Sequence, residues 1–335
     1  MRATKENYGY NSPKVLLILI PIILAISFFV KSNYLISLAT MVGIYSIVTF
    51  GLTLLMGYAG QISLGQAAFF GIGAYTSGIL TAHHGVDPWI AMILGMVLSG
   101  LIAYMVGIPT MKLKEHFLAL ATMGFNVIVY VILHAQMNVT GGASGLGGIP
   151  KLSFFGFWLS SEPHYLLLVW SVVLLVALIS FNIVNSHVGR ILQGIHDSEI
   201  ATLSVGVNIA TYKIQIFVIS AVFASLAGSL YAHYLNFIAP PTFFVTASIQ
   251  FLIMVAVGGA RPIWGAIVGA LVITLLGDYL KNLIGKYVHA GGQVEFIIYG
   301  FLLIVVMIFF KKGIASILNS AWPKRKSVSK GEIQV

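Results

Sequence analysis

The chain has 335 residues, 8% of them charged and 59% hydrophobic, with a mean hydropathy of +0.97 and a formal net charge of +9. A soluble domain needs a charged coat of about a quarter of its residues, so this composition excludes one and leaves lipid as the main solvent. The apolar runs are continuous over about 16–22 residues, the length of a membrane helix, and lack the alternation over about 10 residues that marks a membrane β-barrel. With no cysteine, the chain has no disulfide, thiolate catalyst or cysteine-bound zinc.

Ten membrane helices are expected, over 15–30, 35–56, 62–82, 88–108, 117–134, 165–184, 214–235, 244–257, 263–280 and 295–310, in one transmembrane domain spanning 1–335. In the first run the only small-x-small triplet, Ala25-Ile26-Ser27, falls inside the apolar stretch. A cleavage site should follow the stretch, so the segment reads as a membrane helix. With the N-terminus inside, fourteen of the eighteen basic residues are cytoplasmic and four (Lys31, Lys151, Lys281, Lys286) are external. That bias is the positive-inside pattern. An even number of spans keeps both the N-terminal segment 1–14 and the basic tail 311–335 in the cytoplasm, as expected for a multi-pass protein of the cell inner membrane. Six basic residues gather in that tail, beside an apolar segment, so the net charge points to a membrane surface and not to nucleic acid.

The third span is unusual. "GYAGQISLGQAAFFGIGAY" (57–75) opens with Gln61, Ser63 and Gln66 and continues with Gly71 and Gly73. Amides need partners in a dry environment, and glycine costs a helix interior roughly 1 kcal/mol relative to alanine. Two readings stand: a tight helix interface with amides bonded across it, or a helix beside the path of a polar solute.

His83, His84 and Asp87 follow this span and read as an interfacial polar loop, with no metal site assigned. The external loop 135–164 carries "GASG" (142–145). Intramembrane serine proteolysis needs its serine in a membrane cavity with a histidine base, and Ser144 instead sits among turn-forming glycines. Ser220, Ala224, Gly228 and Ala232 recur every four residues in the seventh span, and Gly265 and Gly269 in the ninth, as close-packing faces do. His233 reads as a hydrogen-bonded neutral imidazole. No ionisable side chain falls at the centre of a span, which argues against an ion-coupled pump. No Gly-Lys-Ser/Thr phosphate loop exists, so any ATP site belongs to another chain, and no cofactor is expected.

The sixth and seventh spans are joined by a cytoplasmic loop, 185–213. In "GRILQGIHDSEIATLSVGVNIATYK" (189–213), Asp197 or Ser198 can cap a short helix with Glu199 at its positive end, Gly206 can stop it, and Asn208 can start the next. Ile200, Leu203 and Val207 make one side apolar. Such a helix of about eight residues, roughly 12 Å long, is a docking surface for another protein or an interfacial helix lying on lipid.

The chain resembles the LivM-type permease subunits of branched-chain amino acid ABC importers. The resemblance runs from about Leu35 to Phe310. It rests on the 57–75 motif, "TGGASGLGGIP" (140–150), "GRILQGIHDSEIATLSVGVNIATYKIQIFVISAVFASLAGSLYA" (189–232) and "VGGARPIWGAIVGA" (257–270). It implies an all-α polytopic permease that does no covalent chemistry. Its partners would be a second, LivH-like permease, two ATP-binding cassette subunits and an extracytoplasmic solute-binding protein. The loop helix becomes the coupling helix, often marked by an E-A-A…G pattern. Asp197, Glu199, Ala201 and Gly206 are its expected coupling residues; Ile200 replaces the first alanine and the glycine falls one residue late. Gln61, Ser63 and Gln66 become candidates for the solute path. Relatives also carry urea, short amides or other small polar solutes, and a stand-alone channel would need no docking helix.

Overall fold

The computed structural model describes residues 32–110, 115–154, 157–158 and 162–287. The first and tenth expected spans, the N-terminal segment and the basic tail lie outside them. The other eight expected spans are all helices. The first is α1 (Asn33–Thr53), prolonged by a π-helical turn (Leu54–Tyr58), and α2 (Gln66–His84) and α3 (Pro88–Thr110) follow. Next come α4 (Glu115–Ala135), the short α5 (Met137–Thr140) and α6 (Glu162–Asn185). Two small helices, α7 (His187–Asp197) and α8 (Glu199–Ser204), lead into α9 (Ile209–Leu235), then α10 (Val245–Gly258) and α11 (Gly265–Tyr287). Five of these segments are long and apolar enough to cross a bilayer. The outward faces of α3 and α4 are apolar, with Val97, Leu101, Met105, Leu120 and Ile128 exposed. Helices that close their own hydrogen bonds and show such faces are what lipid demands; this is a multi-pass membrane protein.

The long helix α9 is the centre, packed along α1, α2 and α3. Contacts between α2 and α9 advance together: Gln66 meets Ser220, Gly73 meets Ser229 and Ser77 meets His233, so the two run in the same direction. The small-residue ladder on α9 permits this approach. A Cβ on Gly228 would stand 1.9 Å from the Phe70 carbonyl oxygen, and one on Gly73 would stand 2.1 Å from that of Ser225. Lipid gives helices no hydrophobic reason to associate, so backbone proximity replaces it. The same device joins α10 to α11, where Gly258 lies against Gly265 and Gly269 against Met254. Rings of Phe69, Phe70, Phe217 and Phe251 fill the space between helices.

At the end remote from α7 and α8, Leu146–Gly147 (β1) pairs antiparallel with Phe237–Ile238 (β4); Ser153–Phe154 (β2) pairs with Phe157–Trp158 (β3). The glycine loop is thus a cap on α9. Buried His233 is its anchor: Nδ1 donates to the Pro150 carbonyl at 2.7 Å, leaving Nε2 to accept from the Ser77 hydroxyl at 2.7 Å. Ser144 is exposed in the turn that leads to β1. Asp87 accepts from the Trp89 amide at the start of α3.

Three expectations need correction. The third span does not begin at residue 62: residues 59–65 are irregular and the helix starts at Gln66. Gly60, at φ +66°, breaks the direction of the chain, and the amides of Leu64, Gly65 and Ala67 bond to side chains instead of to carbonyls one turn back. The connection 185–213 contains an additional helix, α7, with Gly189, Leu192 and Ile195 buried on one side. The helix after it is six residues long, not eight, and Val207 lies beyond it.

Candidate functional site

Two polar interruptions of the apolar fold carry the residues singled out in the sequence. The first is the stretch between α1 and α2. The π-helical turn closes with Ala59 N to Leu54 O and Gln61 N to Leu55 O. From there the chain advances without helix to Gln66, whose partner Ser220 lies about 16 Å along α9 from its start, taking about 1.5 Å per residue. The Gln66 end of this irregular backbone therefore lies well inside the helical bundle, while its Tyr58 end lies beside Arg261. Such backbone survives only where protein or an aqueous path replaces lipid around it.

Side chains from three other helices satisfy this stretch. Leu64 N donates to Thr122 Oγ1 (3.0 Å) and Gly65 N to Ser63 Oγ (3.3 Å). Ala67 N donates to Ser248 Oγ (2.9 Å), while Asn126 Nδ2 donates to the same oxygen (3.1 Å) and to Leu64 O (3.4 Å). Gln66 Nε2 donates to Ser220 Oγ at 2.9 Å. Gln61, Ser63 and Gln66 are all buried, and Gln66 and Asn126 are 0% exposed. Their oxygens, Gln66 Oε1 and Asn126 Oδ1, receive no hydrogen bond from the described residues. Two buried acceptors of this kind each cost about 1–3 kcal/mol if nothing donates to them.

The facing residues Asn126, Thr122, Ser220 and Ser248 were missed as site residues. They come from three apolar spans, Thr122 and Asn126 from α4, Ser220 from α9 and Ser248 from α10, and only the fold gathers them. Asn126 alone gave a signal, an amide amid the apolar α4.

The second interruption is α7–α8. Ser198, not Asp197, caps α8 by accepting from Ala201 N at 3.3 Å. Gly206 adopts φ +82° and ends the turn, as glycine can. Asn208 caps α9 through Thr211 N. Only Thr202 of α8 is buried; Ala201 is exposed, and Ile200, Leu203 and Val205 are 80%, 57% and 77% exposed. The two carboxylates do not face outward alone. Glu199 Oε1 pairs with Lys213 Nζ of α9 at 2.5 Å, and Asp197 Oδ1 with Arg261 Nη2 of the α10–α11 turn at 3.2 Å.

A cavity of about 530 Å³ opens at the opposite end, beside α1, α9, α10 and α11, with Lys151, Glu162, Gln250 and Asp278 on its wall. Gln250 and Ser248 are two residues apart on α10, so the cavity and the polar segment occupy different faces of that helix. None of the predicted coupling or path residues lines it.

Residues 34–309 match the model of the family described as branched-chain amino acid transport system / permease component. The chain is 26% identical to the high-affinity branched-chain amino acid transport system permease protein LivM of Escherichia coli K12, covering 93% of this chain and 77% of that one. Its Salmonella typhimurium counterpart is 27% identical, over 91% and 75% of the two chains. The probable branched-chain amino acid transport permease protein LivM of Methanocaldococcus jannaschii is 25% identical over 81% and 90%. No solved structure matches the chain at a significant level. A polytopic helical fold, a polar break reaching inside the helical bundle and a family match over most of the length agree: the chain belongs to the family of branched-chain amino acid transport system permease components.

Proposed function

We propose that this chain is one transmembrane subunit of an ATP-driven importer of branched-chain amino acids. It works with a second, LivH-like permease, two ATP-binding cassette subunits and an extracytoplasmic solute-binding protein. Both termini and the 185–213 connection face the cytoplasm; Arg190, Lys213 and Arg261 on or beside that end have the sign that the inner face retains. The substrate class comes from what the relatives are described as transporting.

The observation that carries the reading is α8, a capped helix in the connection between α6 and α9, which holds Ile200 and Leu203 out to solvent with Val205 just beyond. A soluble ATPase offers an apolar groove to such a helix, and neighbouring charges at the rim fix the register. On the membrane side, Gln61, Ser63 and Gln66, joined by Asn126, line the solute's route, and the amide oxygens of Gln66 and Asn126, to which no described residue donates, accept from a passing ammonium.

Co-expression with the two ATPases, the second permease and the binding protein tests this directly. The expected result is a complex whose ATP hydrolysis rises when the binding protein carries leucine and not when it carries urea. A chain that purifies alone and conducts solute without ATP contradicts the proposal.

A further inference from the structure

The two carboxylates expected to reach the ATPase are both committed inside the chain. Glu199 holds Lys213, whose side chain is 8% exposed, while its own is 46% exposed. Lys213 is the fifth residue of α9, near the helix's positive end, where a cation is disfavoured, and burial disfavours it further. A buried ion pair is weak evidence for stability, because desolvation offsets the attraction. Its geometric effect is firm: it fixes α8 to the helix that runs through the centre of the fold.

The second pair acts on a different element. Arg261, which holds Asp197, also presents its backbone carbonyl to the Tyr58 hydroxyl at 2.5 Å. Its neighbour Ala260 lies against Gly57, where a Cβ would come within 1.7 Å of the Ala260 oxygen. Gly60 in turn lies against His196 of α7, with space for a Cβ only 2.9 Å from the ring nitrogen. So the first strap runs from α8 through Lys213 and α9 to Ser220 and Gln66. The second runs from the end of α7 through Arg261 to Tyr58, three residues before Gln61 opens the polar run. They reach the irregular stretch 59–65 from its two ends.

We infer that Lys213 and Arg261 are positioning residues that couple the docking helix to the buried polar segment, Lys213 through α9 and Arg261 through the end of α1. The inference rests on the proposed importer function. The apolar side chains of α8 take the partner, and the carboxylates carry the displacement inward instead of contacting the ATPase. Contiguity alone does not demonstrate coupling, so the test separates docking, hydrolysis and transport.

In the complete importer, reconstituted in vesicles with its ATPases and binding protein, Lys213→Met lowers solute moved per ATP hydrolysed at least tenfold. The ATPases still co-purify in wild-type ratio and still hydrolyse ATP. Lys213→Arg retains at least half of the wild-type ratio, and Glu199→Lys combined with Lys213→Glu recovers transport that each substitution alone removes. Arg261→Ala lowers the same ratio at unchanged complex yield. Wild-type transport by Lys213→Met, or loss of the ATPases from it, overturns the inference. So does failure of both the arginine variant and the charge exchange in assembled complexes. Absence of the ATPases from the wild-type preparation is a different result, and it refutes the importer function itself.

Discussion

The α7–α8 connection and the stretch between α1 and α2 are both polar breaks in an apolar chain, and they expose opposite chemistry. At α8 the apolar side chains stand out, Ile200 at 80% and Leu203 at 57% exposure, while the charges are tied down. Between α1 and α2 the amides are shut in, with Gln66 and Asn126 at 0% exposure. Among the described residues, nothing covers the exposed apolar side chains of α8 and nothing donates to Gln66 Oε1 or Asn126 Oδ1. The difference teaches which region suits each half of the proposed function: an exposed apolar face suits a macromolecule, buried amide oxygens suit a small solute, and α9 runs between them.

The comparison breaks first if the helices that hold the two regions apart cannot meet. Gly228→Leu should produce the largest effect, because its side chain would overlap the Phe70 carbonyl. Overpacking at a backbone contact should cost more than about 3 kcal/mol, read as loss of folded protein from the membrane and of a single peak in detergent chromatography. Next, Ile200→Asp with Leu203→Asp should remove the ATPases from the purified complex and abolish uptake. Both sites are exposed, so thermal stability should move by less than about 0.5 kcal/mol. A large loss of stability would show that α8 packs on something within the chain.

Gln66→Leu should lower uptake about tenfold at unchanged abundance, since it deletes one hydrogen bond, worth roughly 0.5–1.5 kcal/mol, and one acceptor. If abundance falls instead and uptake per molecule holds, the amide serves packing only. Asp197→Asn should also perturb folding little. Its pair with Arg261 is more than half exposed on both sides, so unfolding measurements should show a change of roughly 0.2–1 kcal/mol, screened by salt.

Much of this was legible in the sequence. Membrane helices follow from apolar run length, and the eight expected spans within the described residues are helices. Ser198, Gly206 and Asn208 announced their caps because capping is local chemistry. The ladder on α9 announced close packing because its period is that of a helix face. What stayed hidden depends on distance along the chain. Residues 62–65 look like the first turn of the third span, since their glycine and polar side chains are also found in helix interfaces, and only the acceptors Thr122 and Ser248, which take the Leu64 and Ala67 amides, show otherwise. Asn126 meets a segment 62 residues away, and Asp197 meets Arg261 64 residues on. No local pattern encodes such a meeting. Helix α7 escaped because its Arg190, Gln193 and His196 face away from the buried side, diluting the apolar signal.

The central claim is that events at α8 reach the buried segment. A chain with no native cysteine allows it to be tested at single positions. Cysteine introduced at position 61, 63 or 66 in the assembled importer should react with a small water-soluble thiol reagent at a rate that changes at least tenfold between the nucleotide-free and ATP-bound states. That change should vanish when Lys213→Met is added. Protection of all three positions in every state, or a nucleotide-dependent change that survives loss of Lys213, contradicts the account.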